Sequence, residues 1–335
     1  MMMTSRQRMM AALSLKEPDQ VPFADYVDEG IRKKLMGKVD FDEAEFAKKL
    51  GMDAIYFLDY VAPLFCSGSA NPGAGNKGIE FMGNGLIKRE KDLKLMVFPD
   101  PHKESFYDSA KQFVDRYGKE DLAIYAGLRP FGMFNTIFTM GIEDFSYALY
   151  ENRKLVEEIL DRYIEWNCVV VEKLQQVGID FIVAYNDMAF RSGPMVSPQI
   201  FREVFLPKMK IVANLMEIPW VFHSDGDLSQ VFDDLLTLGM NGINPFEPPI
   251  MDIKKYKEEY GHRICLWGNI DLVYTLTRGT PEEVEAEVKK RIREVGPNGG
   301  FILASANSIT NYCKVENVWA MINAVKEYGT YPLTV

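Results

Sequence analysis

The chain has 335 residues, of which 47% are hydrophobic and 26% charged, and it carries a net charge of −10. That is ordinary globular composition, long enough for a core that needs no crosslinks. Acids and bases are interleaved rather than blocked, which excludes the basic face a nucleic acid requires but leaves room for a local basic pocket.

The opening stretch, "MMMTSRQRMMAALSLKEPDQ", is basic but lacks the apolar core of a secretory signal. The first strand-length apolar run is "VPFADYV" (21–27), with Asp25 inside it and Asp28 after it. The next, "DAIYFLDYV" (53–61), delivers Asp59 and Tyr60 at its end. After it comes "CSGSANPGAGNKGIEFMGNG" (66–85), rich in Gly and Asn. It lacks the Gly-Lys-Ser/Thr ending and the following helix of a phosphate loop, so it reads as a long excursion, a lid or a hairpin.

"LAIYAGL" (122–128) runs into "RPFGMFNTIF", offering Arg129, Phe131 and Asn135. Residues 141–178 carry two helix patterns, with Gly178 as a stop. "DFIVAYND" (180–187) ends in Tyr185, Asn186 and Asp187. A helix over 197–216 opens with Ser197 as cap and Pro198 in the first turn, holds Glu203 early, and meets a kink at Pro207.

"PWVFHSD" (219–225) ends in His223 and Asp225, and Asp227 falls in the turn beyond. "GINPFEP" (242–248) contributes Asn244 and Glu247; "ICLWGNID" (264–271) contributes Trp267, Asn269 and Asp271. "TPEEVEAEVKKRIREVG" (280–296) is the clearest helix, with Thr280 and Glu283 as a capping box and acid–base pairs at i,i+4 spacing. "FILASAN" (301–307) brings Ser305 and Asn307, and a helix over 315–329 closes the chain.

Eight nearly continuous apolar runs alternating with helices predict an α/β fold, a single-domain (β/α)8 TIM barrel with an excursion after the second strand. A doubly wound sheet is the alternative, opposed by the absence of a GxGxxG or Walker fingerprint. No window approaches the roughly 18 apolar residues of a membrane span. Cys66, Cys168, Cys265 and Cys313 are scattered without metal spacing, which suits reduced thiols in a cytoplasmic protein.

Chemistry in such barrels gathers at the C-terminal strand ends. His223 beside Asp225 is the sharpest feature there: a neutral imidazole with carboxylates is a metal site or a general acid–base pair. Asp187, Asp225, Glu203 and Glu247 are the candidate acids. An aromatic wall is expected from Phe131, Phe134, Phe138, Tyr185, Phe190 and Trp267. Asp271 reads as a cap, while Asp25, Asn244 and Asn269 read equally as structural or functional.

Five stretches carry a family resemblance: "TSRQRMMAALSLKEPDQVPF", "NDMAFRSGPMVSPQIFREVFLPKMKIV", "HSDGDLSQVFDDLLTLGMNGINPFEP", "YKEEYGHRICLWGNID" and "GGFILASANSI". Together, from about residue 4 to residue 328, the sequence resembles the uroporphyrinogen decarboxylase superfamily. The decarboxylase arm carries an arginine-rich loop after the first strand, where this chain reads "VPFADYVDEGIRKKLMG". The coenzyme M arm places His-x-Cys where His223-Ser224-Asp225 stands, and a second cysteine where Ser305 and Asn307 stand.

The resemblance therefore implies the ether-cleaving, corrinoid-dependent methyltransferase arm. It implies transfer of a methyl group from a small methoxylated, aromatic compound to cobalamin on a corrinoid partner protein. It also implies zinc held by Asp187, Glu203 and His223; the strand ends add Glu247 as a ligand candidate, and His223, Asp187 and Asp225 are the expected catalytic set. Tyr185, Asn186, Phe131, Asn135, Trp267 and Asn307 are the expected substrate contacts, with no nucleic-acid or membrane partner and a homodimer left open. The alternatives are a tetrapyrrole lyase, and a corrinoid- or tetrapyrrole-binding barrel without catalysis.

Overall fold

A computed structural model describes residues 2–57, 63, 65–67, 84–129 and 131–334. Seven strands form one parallel sheet whose spatial order is the chain order. They are β1 (Ala54–Phe57), β2 (Ala123–Leu128), β3 (Phe181–Tyr185), β4 (Trp220–His223), β5 (Gly242–Asn244), β6 (Cys265–Ile270) and β7 (Phe301–Ser305). The strands are apolar on both faces because each face meets a different core. Phe181, Val183, Val221, Cys265, Trp267, Ile302 and Ala304 fill the interior of the curl. Ile182, Ala184, Trp220, Phe222, Leu266, Phe301 and Leu303 alternate with them and pack outward against the helices.

The segment expected as the first strand, 21–27, is not regular. Pro22 lacks an N–H, so a full ladder cannot form there. It still bridges the two edges of the sheet. Leu303 N donates to the Pro22 carbonyl at 2.9 Å, and Ala24 N to the Leu303 carbonyl at 3.3 Å. On the other side Asp53 N donates to the Phe23 carbonyl at 2.7 Å, and Phe23 N to the Asp53 carboxylate at 2.9 Å.

Helix Ser5–Leu13 is held by the Thr4–Gln7 capping box. Its Met9, Ala12 and Leu13 pack with Ala54, Ala123 and Phe181, each the first residue of its strand. This plug closes the N-terminal end of the curl, leaving the C-terminal end for a site.

The predicted helices appear as Ile142–Glu151 with Arg153–Gln175, Pro281–Val295 and Val315–Tyr328. The Thr280–Glu283 capping box is formed. The 197–216 helix is capped by Ser197 and passes through a π turn at Phe201–Phe205, which ends two residues before Pro207. Of the excursion at 66–85, Cys66–Ser67 pairs antiparallel with Asn84–Gly85, and residues 68–83 lie outside the described residues. Asp59 and Tyr60 also lie outside them. Among the described residues no helix is long and apolar enough to cross a membrane.

Candidate metal centre at the strand ends

Register places one row of residues across adjacent strand ends. Tyr185 pairs with His223, and His223 with Asn244; Leu128 pairs with Ala184 one position earlier. Alternation fixes which way they face. Val221 points inward, so His223, two residues on, does too; the same parity turns Tyr185 inward after Val183.

Asn244 decides the chemistry of His223. Its Nδ2 donates to the Trp267 carbonyl at 3.1 Å, and a carbonyl can only accept. The amide oxygen therefore faces His223, 2.7 Å from Nδ1, and Nδ1–H must be the donor. That tautomer leaves a lone pair on Nε2. Nε2 lies 3.9 Å from Asp187 and 3.9 Å from Asp225. Ligand atoms of the three residues all lie within 4.8 Å of one another.

The acids are positioned as well. Asp225 N donates to Asp187 Oδ1 at 3.2 Å. Asn307 Nδ2 donates to both Asp225 oxygens at 2.8 Å. Gly226 N donates to Glu247 Oε2 at 3.1 Å. Gly226 sits at φ +86°, and a Cβ there would run into the Ala189 carbonyl, so the turn after Asp225 requires glycine.

Burial, then the negative charges of Asp187 and Glu247, push the Asp225 carboxyl up to about 8. Burial lowers His223 against the opposing pull of Asp187. A lone pair and two carboxylates repel one another unless a cation or a proton sits between them. One imidazole and two carboxylates are a fitting zinc donor set, with the exposed side left for a further ligand.

A profile of the uroporphyrinogen decarboxylase (URO-D) family matches residues 45–328. The chain belongs to this family. Methylcobamide:CoM methyltransferase MtaA of Methanosarcina barkeri is 26% identical over 190 residues, 56% of this chain and 54% of that protein. The corresponding MtbA of Methanosarcina acetivorans is 25% identical over 224 residues, 66% and 62% of the two chains. The uroporphyrinogen decarboxylase of Chlorobaculum tepidum is 24% identical over 260 residues, 72% and 70%. The chain thus spans 54% and 62% of the two methyltransferases' length. A solved methyltransferase from Methanosarcina mazei shares the fold, with a TM-score of 0.75 at 21% identity over 97% of this chain and 99% of that one.

In this URO-D barrel the remaining predicted residues separate. Glu203 is not in the cluster: its carboxylate is exposed, bonded to Arg153 at 3.0 Å and to Gln199 at 2.9 Å. Glu247 sits on the Gly226 turn and reaches Asp225 electrostatically rather than joining the three-residue group. Phe131 is fully buried against Trp220 and Phe222 in the outer core, not in the mouth. Asn135 is buried beside Tyr163. Asn186 is buried and caps the Phe134 N–H. Trp267 lies inside the curl, with Nε1 donating to the Ala24 carbonyl. Phe134 packs on Phe138, and Phe190 is exposed.

Tyr185 does line the site: its ring is 4.7 Å from that of His223. Asn307 faces the site through Asp225. Asp227 accepts from Ser229 N and Asp271 from Val273 and Tyr274 N, as turn and cap residues do. The residue that sequence reasoning undervalued is Asn244; its only signal was its place one strand over from His223.

Proposed function

We propose that this URO-D family chain is a single-domain methyltransferase. It moves a methyl group from a small methoxylated, aromatic compound to the cobalt of a corrinoid carried by a partner protein. The observation that carries this reading is the Asn244-oriented His223 facing two carboxylates at the mouth. His223 Nε2, Asp187 and Asp225 would hold zinc. Bound there, zinc supplies Lewis acidity to the ether oxygen, so that a poor leaving group can depart.

The chain's own residues do the rest. Asn244 holds the imidazole with Nε2 free; Asn307 holds Asp225 with both oxygens engaged from one side. Tyr185 presents an aromatic face beside the reacting end. With no cation present, Asp225 keeps a proton at neutral pH, because burial and Asp187 raise it to about 8. Cation binding must displace that proton, so zinc affinity should weaken as pH falls below about 8.

The decarboxylase reading gains nothing from the structure. Arg32, in the loop region where that arm is arginine-rich, is buried, bonded to Glu43 at 2.7 Å and laid over Phe46.

The test joins metal content to turnover. The untagged chain should bind one zinc and, with cob(I)alamin as acceptor, form methylcobalamin from a methoxybenzoate, followed by absorbance. His223→Ala should lose the zinc and slow transfer by roughly a thousandfold or more while remaining folded. Wild-type turnover in that variant would discard the assignment.

A further inference from the structure

Arg129 follows β2 directly and shares the inward parity of Tyr125 on that strand. It stands level with Tyr185, because Leu128 pairs with Ala184. Its guanidinium carbon lies 4.2 Å from the centre of the Tyr185 ring, and the Tyr185 ring lies 4.7 Å from that of His223. Guanidinium, phenol and imidazole thus stand in series across three strand ends.

Among the described residues the partner of the guanidinium is Tyr185, through its ring and its hydroxyl, and no carboxylate neutralises the charge. Arg129 Nε is buried with no hydrogen-bond partner. The acids of the mouth are engaged elsewhere: Asp187 accepts from Asp225 N, Asp225 from Asn307 and Glu247 from Gly226 N. A buried donor of a permanent cation left without an acceptor calls for one from outside. Arg129 offers a planar fork matched to a carboxylate.

We infer that Arg129 is the anion-binding group of the mouth, and that it takes the carboxylate of a small methoxylated aromatic acid whose methoxy end lies at the His223 centre. The assignment of the methoxy end rests on the proposed methyl transfer; the carboxylate end rests on Arg129 alone. The phenols of Tyr26, Tyr56 and Tyr125 continue the aromatic lining, with centroids 5.2 Å and 5.8 Å apart along the row.

Calorimetry on the zinc-loaded full chain tests this with 3- and 4-methoxybenzoate against the neutral 3- and 4-methoxybenzamides. Wild type should bind an acid at least about tenfold more tightly than its amide. Arg129→Gln should remove that preference, weakening the acid by about ten- to a hundredfold while leaving amide affinity and zinc content unchanged. Arg129→Lys should fall between, since it keeps charge but loses the fork. Equal binding of acid and amide by wild type, no binding of either acid, or unchanged acid affinity in Arg129→Gln each overturns the inference. The wild-type comparison stands even if a variant misfolds. Acid preference without cobalamin methylation would sink the methyl-transfer reading and leave the anion site intact; methylation without acid preference would do the reverse.

Discussion

His223 is a usable ligand because a neighbouring amide settles its tautomer. Asn244 is pinned by the Trp267 carbonyl, so its oxygen, not its nitrogen, meets Nδ1. Such outer partners typically change metal affinity by about ten- to a hundredfold. Asn244→Ala should therefore weaken zinc by about that factor in a competition with a chromophoric chelator, with the fold retained. Unchanged affinity would mean that the ring is oriented by packing on Tyr185 instead. His223, Asp187 and Asp225 were legible in the sequence because strand-end polarity stands out against an apolar run. The direction of Glu203 is not legible, since an early helix position does not fix where a side chain points. The π turn at Phe201–Phe205 and the charge of Arg153 take it outward.

At the scale of elements, the legible pieces were those with strong local signals. The helix Pro281–Val295 has a cap, a first-turn proline and i,i+4 pairs: Glu285–Lys289 at 2.8 Å and Glu287–Arg291 at 3.8 Å. The segment 21–27 looked like a strand because its hydrophobicity matches one. Pro22 and the borrowed carboxylate of Asp53 make it a seam instead. Helix Met133–Met140 is not legible: Gly132 gives it no side-chain cap, and it is buried almost all round, polar residues included. The turn after β4 is the element on which the site hangs. Its glycine backbone lets Asp225 N reach Asp187 and its own N–H reach Glu247. Gly226→Ala forces a side chain into a left-handed position against the Ala189 carbonyl. We expect a loss of about 1–3 kcal/mol in unfolding free energy, together with weakened zinc binding. Denaturant titration and chelator competition on one preparation check both; a variant matching wild type in both would show that the turn relaxes freely.

Over the whole molecule, closure of the curl depends on buried acids along the seam. Asp53 joins the segment 21–27 to the β1 side, and Asp25 joins it to β7. Ser305 N donates to Asp25 Oδ2 at 2.6 Å and Ser305 Oγ to Oδ1 at 3.1 Å. These bonds favour the carboxylate, but burial outweighs them and pushes Asp25 from 3.8 up to about 7. Burial likewise raises Asp53, despite the opposing charge of Arg8. The sign for stability follows from proton counting. Between about 4 and about 7 the folded chain keeps a proton on Asp25 that the unfolded chain has released. Stability should therefore be highest near the acid end of that window, fall as pH rises through it, and level off above about 7. Each unit is worth at most about 1.4 kcal/mol from this group. Asp25→Asn cannot ionise, yet its amide can still accept from Ser305 N and donate to Ser305 Oγ. Urea unfolding of both proteins at several pH values should show a smaller slope for the variant and greater stability than wild type at about pH 8. Parallel pH profiles would place the cost of closing the barrel on other groups, with Asp53 the first to substitute.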